Sequence, residues 1–184
     1  MSRSSPPQAL LLVDGYNIIG AWPALLQAQA AGLEQARSEL VELLVNYSAY
    51  RGFETHIIFD AYAQAGPSNQ EVVTQHLRIY YTHFGQTADT YIEKVCAQFR
   101  EDARKFTQRL IVATSDRAQQ LTVKGYGAEC LSAQQLAADV HVVSQGVQRQ
   151  QRTRKKSTRR LLMNNLDPKT RDQLARLRQG QKPV

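Results

Sequence analysis

Thiol chemistry has little to work with in this chain, which carries two cysteines, Cys96 and Cys130, among 184 residues. Neither has a CxxC partner or zinc-ligand spacing, so a disulfide framework and a structural zinc site are excluded, and both read as buried, reduced thiols. Histidine is also sparse. His56, His76, His83 and His141 are scattered, form no metal-binding pair or Ser/His/Asp series, and read as packing or surface residues. There is no glycine-rich phosphate loop, which argues against a nucleotide-binding switch. No apolar run is long enough to cross a bilayer, so no membrane partner is expected. Residues 1–8 lack the apolar centre of a signal peptide, and a cytoplasmic location is the expectation.

What is present is an alternation. Apolar runs at 9–13, 55–59, 110–114 and 128–131 read as strands, while helical spacing predicts helices over 33–50, 88–105, 116–124 and from 132 to at least 147. Strands alternating with helices imply βαβ units, an α/β fold and a mostly parallel central sheet. A variable loop carrying Trp22-Pro23 separates the first strand from the first helix, and residues 70–84 are ambiguous around a strand-like Ile79-Tyr80-Tyr81. The punctuation fits: Gly52 stops a helix, Thr87 caps one, and Ser132-Ala133-Gln134-Gln135 matches a capping box. Asp167-Pro168 has the form that starts a further helix.

Charge divides the chain. Residues 1–147 hold 11 Lys+Arg and 14 Asp+Glu, a net charge of −3, whereas residues 148–184 hold 12 and 2, a net charge of +10. The expected organisation is a flexible N-terminus over 1–8, a domain over 9–147 and a basic helical extension over 148–184. Arg149, Arg152, Arg154, Lys155, Lys156, Arg159 and Arg160 crowd the start of that extension, so a polyanion is its expected partner. A merely solvated basic helix is the plainer alternative.

The acidic residues are more pointed. Asp14, Asp60 and Asp116 each follow a strand-like run directly, and Asp89 follows Leu77-Arg78-Ile79-Tyr80-Tyr81 across a short polar break. In an open parallel sheet the carboxyl ends of the strands lie along one edge, where ligands bind, so the four would converge as a patch of negative charge. Such a patch calls for cations, and oxygen ligands suit a hard divalent metal that activates water at a phosphodiester. Gly15 would let backbone approach a ligand, and Asn17 would bond a phosphate oxygen or a metal-bound water; an Asp–Gly turn with a capping Asn also fits. Asp89 and Glu93 share one helix face at i, i+4, for metal binding or for the helix dipole. Ser115 and Asp116 offer a hydroxyl and a carboxylate at a strand-to-helix junction, or a helix cap. Tyr16, Trp22 and Tyr62 flank the edge, to stack on unpaired bases or to anchor loops.

These motifs resemble the NYN-domain nucleases, a PIN-like group, and in particular their YacP-like bacterial branch. The resemblance rests on Leu12-Val13-Asp14-Gly15-Tyr16-Asn17-Ile18-Ile19-Gly20-Ala21-Trp22-Pro23, Phe59-Asp60-Ala61, Thr87-Ala88-Asp89 with Glu93, Ala113-Thr114-Ser115-Asp116 and Ala36-Arg37. It implies a PIN-like (NYN), Rossmann-like sandwich with Asp14, Asp89 and Asp116 around one or two Mg²⁺ or Mn²⁺ ions, and Asn17, Asp60 and Glu93 in support, to which the junction reading above adds Ser115. It further implies an endoribonuclease whose substrate is single-stranded mRNA and whose partner is the ribosome, cleaving at the A site during translation. A non-catalytic RNA- or ribosome-binding factor and a nuclease for structured RNA are the competing expectations.

Overall fold

The computed structural model describes residues 7–60 and 69–164. Expectations for Tyr62 and for the segment from Asp167-Pro168 onward lie outside the described residues. The first strand, β1 (Ala9–Asp14), is buried at every position, as befits a parallel strand covered on both faces. Next come α1 (Gly15–Ala21), α2 (Pro23–Ala31), α3 (Leu33–Arg51) and β2 (Phe53–Phe59). A hairpin of β3 (Asn69–Val72) and β4 (Leu77–Tyr81) precedes α4 (Ala88–Glu101). After a 3₁₀ turn (Ala103–Phe106) the chain forms β5 (Arg109–Ala113), α5 (Arg117–Gly125), β6 (Glu129–Leu131) and α6 (Ala133–Asn164).

The six strands lie in the order β3-β4-β2-β1-β5-β6, all parallel to their neighbours except the edge strand β3. This is the expected α/β architecture with a mostly parallel sheet. Alternation splits the core. Leu10, Leu12 and Ile58 face α4 and α5, meeting Ile92, Cys96 and Phe99 of α4 and Val123 of α5. The intervening residues face α1 and α3; there the hydroxyl of Ser48 on α3 bonds Thr55 of β2 at 2.7 Å, sealed from solvent. Cys96 is buried but Cys130 is only half-buried, against the expectation that both are sealed.

The contacts divide the chain at Ser144/Gln145 into two units. The first turns of α6 belong to the first unit, burying Ala133, Leu136, Val140 and Val143. The described part of the second unit is helical, and Arg152, Arg154, Lys155, Lys156, Arg159 and Arg160 fall on that helix. Among the described residues no helix is long and apolar enough to cross a membrane.

Two expectations change. The segment read as a variable loop is a pair of helices: the Asp14 carboxylate caps α1 through the Asn17 N–H, and Pro23 occupies the first position of α2, where its missing N–H costs nothing. The helix over 88–105 stops at Glu101, because Asp102 turns its carboxylate to the Arg104 N–H and starts the 3₁₀ turn. The caps at Gly52 and Thr87 stand where the sequence puts them. The capping box is reciprocal, Ser132 N–H donating to Gln135 and Gln135 N–H to the Ser132 hydroxyl.

Candidate active site at the carboxyl edge of the sheet

The carboxyl ends of β1, β2 and β5 stand side by side, with Asp14 aligned with Ile58 and Val13 with Ala113. Asp14 therefore ends the central strand, Asp60 follows the end of β2, and Asp116 lies three residues beyond β5. Asp89 enters from the first turn of α4. Asp14 and Asp89 register the crowding. Asp14 is raised from 3.8 to about 6, first by burial and then by the charges of Asp89, Asp60 and Asp116, with the Asn17 N–H opposing them. Burial also raises Asp89, helped by Asp116, Asp60 and Glu93. The sequence reading of a convergent acidic edge is thus realised as a shared electrostatic field.

Each carboxylate also accepts a bond from the protein. Asp14 Oδ1 takes the Asn17 N–H at 3.2 Å, and Asp60 Oδ1 takes the Ala88 N–H, pinning the start of α4. Asp116 Oδ1 caps α5 through Ala118 and Gln119 at 2.7 and 3.1 Å. Asp89 Oδ1 receives the side-chain amide of Gln119 at 2.5 Å. Among the described residues no three His, Cys, Asp or Glu side chains stand close enough to hold one metal ion. Capping and amide bonds hold the four carboxylates as neighbours along this edge.

The polar residues expected to touch substrate are largely committed to the frame. Asn17 Oδ1 accepts the Ser115 N–H at 2.7 Å, tying the β1–α1 junction to the β5–α5 junction. The Ser115 hydroxyl accepts the Ala133 N–H at 3.1 Å and anchors the start of α6. Trp22 corrects the stacking expectation: it is 6% exposed, and its indole N–H donates to the Ala133 carbonyl at 2.7 Å. It anchors the α1–α2 corner and presents no face for a base. Gly15 serves packing rather than ligand approach, since a Cβ there would lie 2.2 Å from the ring of Phe59. Glu93 stands half-buried one turn beyond Asp89.

Against this geometry, the family model of the YacP-like NYN domain matches residues 11–179. The chain belongs to that family. It is 35% identical over 144 residues to the YacP protein of Bacillus subtilis (strain 168), covering 78% of this chain and 81% of the relative. Crystal structures of Rae1 (YacP) from Bacillus subtilis resemble it at 30% identity. One has a TM-score of 0.67 and covers 93% of this chain and 95% of that one. The other, of a tryptophan-to-leucine mutant, has a TM-score of 0.65 and covers 90% and 98%. The fold of this NYN chain is therefore the PIN-like nuclease fold, and the family match runs on through the basic extension.

The NYN domain contains two site residues whose roles the sequence reading did not see. Gln119 is 3% exposed and joins two aspartates, its backbone to Asp116 and its side chain to Asp89, while its Oε1 is buried without a partner. Its signal was faint: it lies three residues beyond Asp116, the spacing of a capped backbone N–H. Arg37 of α3 was noted only as part of a pattern, yet it reaches the same edge of the sheet and bonds the Tyr16 hydroxyl from Nε at 3.0 Å.

Proposed function

We propose that this NYN-domain protein is a metal-dependent endoribonuclease that cleaves single-stranded mRNA on the translating ribosome, at the A site, in the cytoplasm. The observation that carries the reading is the convergence of Asp14, Asp60, Asp89 and Asp116 at one edge, where Asp14, raised to about 6 chiefly by its burial, also feels the charges of the other three. Carboxylates gathered at one sheet edge form a donor set suited to a hard divalent cation. Asp14, Asp89 and Asp116 would hold Mg²⁺ or Mn²⁺, with Glu93 beside them. When bound, the cation supplies charge neutralisation at the phosphodiester and an activated water.

The chain's own residues do the positioning. Asp60 fixes the first turn of α4 and hence the backbone of Asp89. Asn17 locks the loop before Asp116 to the loop after Asp14. Gln119 sets the spacing between Asp89 and Asp116. The basic residues from Arg149 to Arg160 would hold RNA through phosphates, which positions the strand without selecting its sequence. A non-catalytic RNA- or ribosome-binding factor is the second reading, favoured by the protein donors that every carboxylate already accepts.

Mapping RNA 5′ ends in cells carrying the wild-type chain or Asp14→Asn separates the two. The expected result is a set of ends within translated frames that vanishes in the variant while RNA binding persists. Ends that survive Asp14→Asn would overturn the proposal. Comparing cleavage of naked RNA with cleavage on translating ribosomes then distinguishes an A-site enzyme from a nuclease for structured RNA.

A further inference from the structure

The acidic edge repels the polyanion that the proposed reaction needs, so a cation fixed at that edge has a role to explain. Phe59 is the last residue of β2 and Tyr81 the last of β4, paired in register at the carboxyl edge and facing α3. Tyr16 stands in the first turn of α1, its ring 5.1 Å from Phe59. The guanidinium of Arg37 lies over all three rings, 5.5, 5.6 and 5.9 Å from Tyr16, Phe59 and Tyr81. Its Nε and one terminal nitrogen both donate to the Tyr16 hydroxyl, and the other terminal nitrogen donates to Glu34 at 2.8 Å.

A guanidinium has five N–H donors, and three are used here. One remains on each terminal nitrogen, which is the fork that matches a phosphate. The Arg37 side chain is 22% exposed, and its ion-pair partner Glu34 is 79% exposed. Such a surface pair contributes little and yields readily to an incoming anion. Asp14 lies on the α4 side of the sheet and Arg37 on the α3 side, so an RNA strand crossing the edge meets both.

We infer that Arg37 grips an RNA phosphate next to the one that is cut, and that Tyr16 is the positioning residue that aims it. The inference rests on the nuclease reading above. Tyr16 then serves RNA through Arg37 rather than by stacking on a base.

The test measures anisotropy of a short labelled single-stranded oligoribonucleotide with the full chain in EDTA, on an Asp14→Asn background, across a salt series. Arg37→Met should weaken binding about tenfold and flatten the log–log salt slope by about 0.7, the loss of one phosphate contact. Arg37→Lys should keep the slope with part of the affinity, since it retains the charge without the fork. Tyr16→Phe should weaken binding about threefold and also keep the slope, because only the aim is lost. An Arg37→Met protein with unchanged affinity, or with weaker binding but an unchanged slope, overturns the inference. Cleavage by the wild-type chain with Mg²⁺ or Mn²⁺ is scored separately. Its absence sinks the nuclease reading while leaving the phosphate contact measurable.

Discussion

At the scale of single residues, the acidic edge destabilises the fold that carries it. Asp14 is 8% exposed, and its folded value of about 6 lies above the unfolded 3.8. The folded chain therefore holds this proton more tightly than the unfolded chain. Below about pH 4 the residue is neutral in both states and costs nothing; as pH rises to about 6 and beyond, stability falls by on the order of 3 kcal/mol. Asn in its place still accepts the Asn17 N–H without the buried charge. Asp14→Asn should accordingly raise the melting temperature by on the order of 5 °C at about pH 7.5 and by little at about pH 4. Mn²⁺ should raise the wild-type melting temperature and leave the variant's almost unmoved, because a cation bound only to the folded state stabilises it. Equal melting curves for both proteins at both pH values would refute the assigned cost of burying this charge. Glu54 acts in the opposite direction. Its bond to His56, and the charges of His56 and Arg78, hold it at about 2 against an ordinary 4.5, so its contribution is present above about pH 4.5 and is lost as pH falls toward 2.

At the scale of elements, the junction of β1 with α1 is set by the end of β2. Gly15 has no side chain because the Phe59 ring fills the place where a Cβ would sit, with ring carbons at 2.2, 2.5 and 2.9 Å. That ring is fully buried and held by Tyr16, Tyr81 and Arg37, so it has no free direction to move. Gly15→Ala should cost about 2 kcal/mol by overpacking, read from urea unfolding, and Phe59→Leu in the same chain should recover more than half of it. Strictly additive losses would show that the two do not share this space. Such packing is also the limit of what the sequence tells. The strand ends were legible because β1, covered on both faces, reads as an unbroken apolar run and β2 closes on Ile57-Ile58-Phe59, and the residue after such a run lies at the edge. Helices α1 and α2 were not, since both are short and Trp22-Pro23 resembles loop punctuation although the proline opens a helix. The roles of Gln119, Arg37 and Trp22 depend on partners 30, 21 and 111 residues away. No local spacing encodes how α3, α5 and α6 are rotated against the sheet.

At the scale of the whole molecule, the question is how a chain whose first 147 residues carry a net charge of −3 would hold a polyanion. Residues 148–184 carry +10 and the family match continues through them to residue 179, so the extension belongs with the domain rather than being an unrelated appendage. On the RNA proposed for it, its charge would act through counterion release, making binding strong at low salt and steeply weaker as salt rises. The core does not need it for folding, because the contacts that close the sheet end by Ser144, and the side chains that α6 packs into that unit are Ala133, Leu136, Val140 and Val143. A chain ending at residue 147 should therefore melt within a few degrees of the full chain and keep Asp14, Asp89 and Asp116 in their mutual field. It should nonetheless lose ribosome association in sucrose-gradient sedimentation. Its single-strand affinity at low salt should drop by at least tenfold, with a shallower salt slope. Any slope that remains in this shortened chain belongs to the domain itself, and Arg37→Met introduced there should remove about 0.7 of it. Unchanged sedimentation of the shortened chain with ribosomes would move the ribosome-binding surface onto the NYN domain and leave the basic extension without the role assigned to it.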